Sequence, residues 1–220
     1  MIKCENEAIL YAFSDKRDDW YQYLWGRMAD CNFSEFINNQ IAFVTFNYDR
    51  SLEQVLLSAA MNTYGVKGDL AIEALKQFEI IHLHGQLGDL HWQAKDETTK
   101  RNYDPQIDHQ TLKIAAGGIQ IIYEDIMVEK FKRVHKLIQD AQHIHLLGFG
   151  YHPMNLDRLQ LAQAKCPVFG TAYGLSSLEI SHICRESQLL PNERERRVLD
   201  TNNLRPVMIV PYFREHRELI

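Results

Sequence analysis

The sequence predicts an α/β fold: a doubly wound, mainly parallel sheet with a helical N-terminal segment and a loop-rich insert. Three observations predict it. Short apolar runs fall at 41–46, 79–83, 143–147 and 167–172, the composition of buried strands. Segments of helical spacing separate them, and strands that alternate with helices imply parallel pairing with helices on both faces. Polar residues stand at the tips of the first two runs, at Asn47, Asp49 and His84, where strand packing has no use for them. In open parallel sheets the carboxyl ends of strands are where ligands sit.

The elements follow in order. Residues up to about 39 read as helical, with Trp20, Tyr23, Leu24 and Met28 at helical spacing and a break at 32–34 beside Phe33 and Phe36. Strand 41–46 leads into a helix at 51–61, where Leu52, Val55, Leu56 and Ala59 share a face. A turn at 65–68 and a second helix at 70–77 precede strand 79–83. The stretch 85–118 carries Gly85, Gly88, Pro105, Gly117 and Gly118, and its polar run 95–104 has no hydrophobic period. It reads as a long loop or small subdomain over the strand ends. A short strand is expected at 119–123. A helix follows at 124–141, with Ile126, Val128, Phe131, Val134, Leu137 and Ile138 as its apolar stripe. Strand 143–147, helix 153–165, strand 167–172, helices at 175–187 and 191–199, and a last strand at 207–210 complete a single domain over 1–220.

The totals exclude several classes. A chain of 220 residues that is 45% hydrophobic and 24% charged suffices for one well-cored globular domain. Its net charge of −5 argues against broad nucleic-acid binding, which needs clustered Lys and Arg. Arg194, Arg196 and Arg197 do cluster, but Glu193 and Glu195 interleave with them as on a solvated helix face. Cys4, Cys31, Cys166 and Cys184 lack the spacing of a zinc site. Scattered cysteines without a signal peptide fit a cytoplasmic protein. No apolar stretch approaches the roughly 18 residues of a membrane span.

The polar strand tips carry the chemistry. Ala42-Phe43-Val44-Thr45-Phe46-Asn47-Tyr48-Asp49 ends in Asn-x-Asp, and Ile80-Ile81-His82-Leu83-His84-Gly85 ends in His-Gly. Ile144-His145-Leu146-Leu147-Gly148-Phe149-Gly150-Tyr151 ends in a Gly-x-Gly turn. Each motif has a purely structural alternative. Asp49 can cap the helix beginning at Ser51 and Asn47 can satisfy a turn. His84 can bond a loop carbonyl, and two glycines also serve a tight β–α turn. Asn155 can cap the helix that starts near Pro153. His82 reads as structural.

Together and in this order, the three motifs resemble the sirtuin-like superfamily, more closely its bacterial branch without a zinc module than the protein deacetylases. The resemblance covers roughly 41–173 and implies a sirtuin-like, Rossmann-type fold that binds NAD. It implies that His84 acts as general base beside the nicotinamide ribose, a task suited to imidazole with its unperturbed pKa near 6.5. Asn47 would hold the ribose or the attacking water, and Asp49 would order the same pocket. Gly148, Phe149 and Gly150 would pass under the adenosine or diphosphate. Asn155 would reach a ribose hydroxyl, and Thr171 would contact the adenine side.

Two departures shape the expected function. Sirtuin deacetylases carry four zinc-binding cysteines between the His-Gly element and the third strand, whereas this chain has none between Cys31 and Cys166. Water therefore replaces acyl-lysine as the expected acceptor, and no metal is expected. The superfamily also opens with a Gly-Ala-Gly-x-Ser phosphate loop, and the only glycine before Asn47 is Gly26. Either the chain is the C-terminal part of a larger domain, or the loop is lost. The expected activity is hydrolysis of NAD to nicotinamide and ADP-ribose products, in a branch whose members often serve anti-phage defence. A non-catalytic module that binds NAD or ADP-ribose, or only assembles with partners, is the alternative; a protein deacylase is the third. An uncovered sheet edge would favour a homo-oligomer or a partner chain.

Overall fold

The computed structural model describes residues 19–103, 108–119, 125–186 and 199–215. The chain divides into two compact units between Met127 and Val128. It is an α/β protein whose strands pair in short parallel sheets.

In the first unit, α1 (Trp20–Met28) is capped by Asp19, whose carboxylate accepts from the Tyr21 and Gln22 amides. The break after it is a capping box. The Asn32 side chain accepts from Glu35 N–H, and the Glu35 carboxylate accepts from Asn32 N–H, which opens the short α2 (Phe33–Phe36). Phe36 is fully buried and packs against Trp25, Tyr64 and Phe78 at ring separations of 5.1–5.4 Å. β1 (Ala42–Thr45) is followed by α3 (Ser51–Tyr64), which Gly65 ends in the left-handed conformation at φ 61°. α4 (Gly68–Leu75) then leads to β2 (Glu79–His82). β2 lies parallel to β1, in a register that runs from Ala42 opposite Glu79 to Thr45 opposite His82.

The insert is more ordered than its composition suggests. It contains a two-residue parallel pair, β3 (Asp89–Leu90) and β4 (Lys100–Arg101). α5 (His109–Gly117) follows, capped by Asp108 through the Thr111 amide at 2.6 Å. Gly118 folds back so that its carbonyl accepts from Gln86 N–H at 2.9 Å. Of the strand expected at 119–123 only Ile119 is described, and it forms an isolated antiparallel bridge with Gly85.

In the second unit, α6 (Asp125–Asp140) buries Val134 and Ile138. β5 (Ile144–Leu146), β6 (Val168–Thr171) and β7 (Leu199–Arg205) form a parallel sheet in that order. α7 (Pro153–Leu159) crosses from β5 to β6, and α8 (Ser177–Glu186) crosses from β6 to β7. Ser176 and Glu179 exchange side-chain and backbone bonds as a capping box at the start of α8.

Three expectations are corrected. The helix at 153–165 stops at Leu159, because Gln160 turns left-handed at φ 50° and a 3-10 turn, Leu161–Gln163, replaces the rest. The last strand is not 207–210. The chain pairs earlier, through Leu199–Arg205, and α9 (Ile209–Glu215) takes up the apolar run. Pro211 fits there because the N–H it lacks belongs to the first helical turn, where no intrahelical partner exists. Of the helix expected at 191–199 only Leu199 is described, and it opens β7; residues 191–198 lie outside the described ones.

Gly170 has a packing reason to be glycine. A Cβ there would overlap the Tyr151 hydroxyl and stand 3.0 Å from the Leu146 Cβ. Gly26 sits within α1 with nothing within 4 Å of such an atom. Gly170→Ala is therefore expected to destabilise the protein by about 1–3 kcal/mol. Gly26→Ala is expected to stabilise it by about 0.5–1 kcal/mol. Urea titrations of the two variants beside the parent check the opposite signs.

Candidate functional site

Parallel pairing sets the geometry of the strand tips. Thr45 lies opposite His82, and Leu83 N–H donates to the Thr45 carbonyl at 2.9 Å. Asn47 and His84 therefore each stand two residues beyond one matched pair, at the carboxyl edge of adjacent strands. Asn47 is exposed, and its backbone N–H donates to Thr45 Oγ1 at 3.0 Å. His84 is half-buried, with the rings of Phe46 and Tyr48 edge-on to it at 5.4 and 6.3 Å. Gly85 takes φ 86°, a conformation closed to most side chains, so the turn that carries His84 requires a glycine after it. Asp49 is half-buried, and its Oδ1 accepts from Ser51 N–H at 3.1 Å, which secures the entry to α3. Leu87 N–H donates to the Tyr48 carbonyl at 2.8 Å and ties the insert to the Asn-x-Asp loop.

Beneath these tips lies a buried ionic cluster. Arg50, Glu53 and His82 are each at most 3% exposed. Glu53 Oε1 lies 2.8 Å from Arg50 Nη2 and 2.9 Å from His82 Nε2. Arg50 Nη1 donates to the Gly88 carbonyl at 2.9 Å, and Nη2 donates to Gln93 Oε1. His82 Nδ1 lies 2.7 Å from the Asn47 carbonyl. Burial alone pushes the Glu53 carboxyl up, but the His82 hydrogen bond and the Arg50 charge outweigh it and hold Glu53 below the ordinary range. Burial, with Asp49, Tyr103, Glu53 and Asp19 around it, pushes the Tyr21 phenol far above its ordinary value. Tyr103 in turn shares a hydrogen bond with Ser51 Oγ at 3.1 Å.

Sequence reasoning missed Arg50 and Glu53. The apolar stripe of α3 pointed to Leu52 and Ala59, whereas the buried face includes Ser51, Glu53, Val55, Leu56, Leu57 and Ala60. The one available signal was the Arg–Glu pair at i, i+3 directly after Asn-x-Asp. His82 was expected to be structural, and its partners now give that role a content.

The remaining candidates belong to the second unit. Gly148 takes φ 60°, and its N–H donates to Thr171 Oγ1 at 2.8 Å. Thr171 is buried, and its hydroxyl points back to the Leu146 carbonyl at 3.5 Å. Tyr151, at φ 50°, donates its hydroxyl to the Thr171 carbonyl at 2.8 Å. The Phe149 ring is edge-on to Tyr151 at 5.2 Å, and Gly150 is exposed. Asn155 lies in the first turn of α7, and that helix has no side-chain cap bond. The Gly-x-Gly turn thus spends a backbone donor within its own sheet.

Among the described residues, no group of His, Cys, Asp and Glu is arranged to hold a metal ion, and no helix is long and apolar enough to cross a membrane. Compared with known proteins, the chain gives no significant match to a family model, a curated protein or a solved structure.

Glu53 makes a pH prediction with a definite sign. Its folded-state pKa lies below that of an ordinary carboxyl, so its contribution is complete above the ordinary value and is lost as pH falls through the folded pKa. Glu53→Gln leaves Arg50 buried without its carboxylate and is expected to cost about 3–5 kcal/mol at pH 7. Its stability should also fall less steeply on acidification than that of the parent. Denaturant titrations of both proteins across pH 3–7 measure the two slopes.

Proposed function

We propose that the chain is an NAD hydrolase with a sirtuin-like, doubly wound architecture, and that its reacting centre lies at the carboxyl edge of β1 and β2. The observation that carries this reading is the matched placement of Asn47 and His84 beyond the Thr45–His82 pair. An amide and an imidazole just past the carboxyl ends of a parallel strand pair stand where such sheets bind ligands.

The chemistry follows from the residue types. The bond between the ribose C1′ and the nicotinamide nitrogen breaks, its electron pair leaves with nicotinamide, and oxocarbenium character develops on the ribose. Water adds to C1′ and gives its proton to His84, leaving ADP-ribose. Asn47 orients the ribose or the water, and such positioning accounts for a large part of a barrier of this kind. Asp49 supports the site by holding the start of α3. A cytoplasmic role in anti-phage defence, with a homo-oligomer or a partner chain, extends the same resemblance.

A non-catalytic NAD- or ADP-ribose-binding module is favoured by one observation. The Gly148 N–H and the Thr171 hydroxyl are bonded to each other rather than held open for a ligand.

Incubation of the purified chain with NAD, followed by chromatography of nicotinamide, separates the two. The hydrolase releases nicotinamide, and His84→Ala lowers the rate by about 10²–10⁴-fold. Release that survives the substitution overturns the site. Binding of NAD without release supports the module.

A further inference from the structure

The contact between His82 and the Asn47 carbonyl does more than fill space. A carbonyl oxygen only accepts, so His82 Nδ1 carries the proton at 2.7 Å from it. The other ring nitrogen lies 2.9 Å from Glu53 Oε1, a distance that requires one further proton between them. Both ring nitrogens therefore donate, Nδ1–H to the Asn47 carbonyl and Nε2–H to Glu53, and Glu53 fixes the orientation of the ring. Arg50, bonded to the same carboxylate oxygen, keeps Glu53 in place and reaches across to the Gly88 carbonyl.

The Asn47 carbonyl belongs to the residue proposed to orient the ribose. Its position sets the plane of the 47–48 peptide and the direction in which the chain leaves β1. His82 also ends β2, two residues before His84. One imidazole thus couples the Asn-x-Asp loop to the His-Gly turn. We propose that His82, oriented by Glu53, is a positioning residue that fixes the Asn47 loop against the turn bearing His84. Its catalytic consequence rests on the hydrolase reading; the contact itself does not.

Two substitutions divide the ring between its two bonds. The amide nitrogen of His82→Asn reaches about the place of Nδ1, and that of His82→Gln about the place of Nε2. His82→Asn therefore keeps a donor for the Asn47 carbonyl and gives up Glu53, while His82→Gln does the reverse. Both lose one bond of a buried cluster, so a general loss of stability affects them alike. The experiment measures nicotinamide release from NAD and hydrogen exchange of the peptide spanning 46–51, on the full chain.

His82→Gln is expected to lower kcat about tenfold more than His82→Asn, with a smaller change in KM, and to speed exchange at 46–51 relative to it. Equal effects, or the reverse order, overturn the proposal. If the parent releases no nicotinamide, the hydrolase reading alone fails, and the order of exchange rates still decides the positioning claim. If neither variant folds, nitrogen NMR of the parent decides it. A His82 Nδ1 that is protonated at neutral pH supports the proposal, and an unprotonated Nδ1 overturns it.

Discussion

The Glu53 carboxylate is the point on which the first unit depends. One oxygen meets both Arg50 and His82, and through them three separate stretches of chain are tied together. These are the exit from β1, the end of β2 and the insert at Gly88 and Gln93. Burying ions costs several kcal/mol each, and only good geometry offsets that cost. Here the geometry is supplied in part by the helix. Glu53 stands in the first turn of α3, where the positive end of the helix dipole favours a carboxylate and where Arg50, beside the same end, most needs a counter-charge. A purely apolar centre of the same volume would pack, but it would not dictate which loop meets which.

That specificity matters because the strand tips are only four-residue strands wide in support. β1 and β2 are short, and β1 is partly exposed on both faces. Their pairing ends at Thr45 and His82, and the residues beyond are irregular chain. The buried cluster, the Gly85 turn and the bond from Leu87 N–H to the Tyr48 carbonyl hold that irregular chain in one arrangement. Loops positioned by a rigid scaffold are where binding and catalysis concentrate. The insert contributes to the scaffold, since its first residues are clamped to the strand tips and its own β3, β4 and α5 give it internal order.

The second unit solves a related problem with neutral groups. Its turn after β5 places Tyr151 in a left-handed conformation, which costs a non-glycine residue about 1–2 kcal/mol. The buried phenol, bonded to the Thr171 carbonyl and seated in the space that Gly170 leaves open, offsets this strain. The same hydroxyl-rich corner consumes the Gly148 N–H. A Gly-x-Gly turn after a strand is thus compatible with two designs, one that cradles a phosphate and one that locks a tyrosine. The sequence pattern is the same for both.

Much of the fold was legible because it is written in local patterns. Apolar runs located β1, β2, β5 and β6, and the break at 32–34 and the turn at 65–68 located the helix boundaries that Asn32 and Gly65 make. β7 was not legible. Asp200, Thr201, Asn202 and Asn203 are polar, and the strand is defined by backbone bonds to β6 that composition does not report. Gln160 ended α7 without a glycine or proline to announce it. By itself the sequence determined that polar groups stand at the tips of parallel strands, because strand periodicity and chemistry are both local. Only the tertiary structure decided that Glu53 lies inside and that His82 grips the Asn47 carbonyl. A charged residue near a helix start looks solvated until a distant partner arrives to satisfy it, and for Glu53 that partner, His82, lies 29 positions away along the chain.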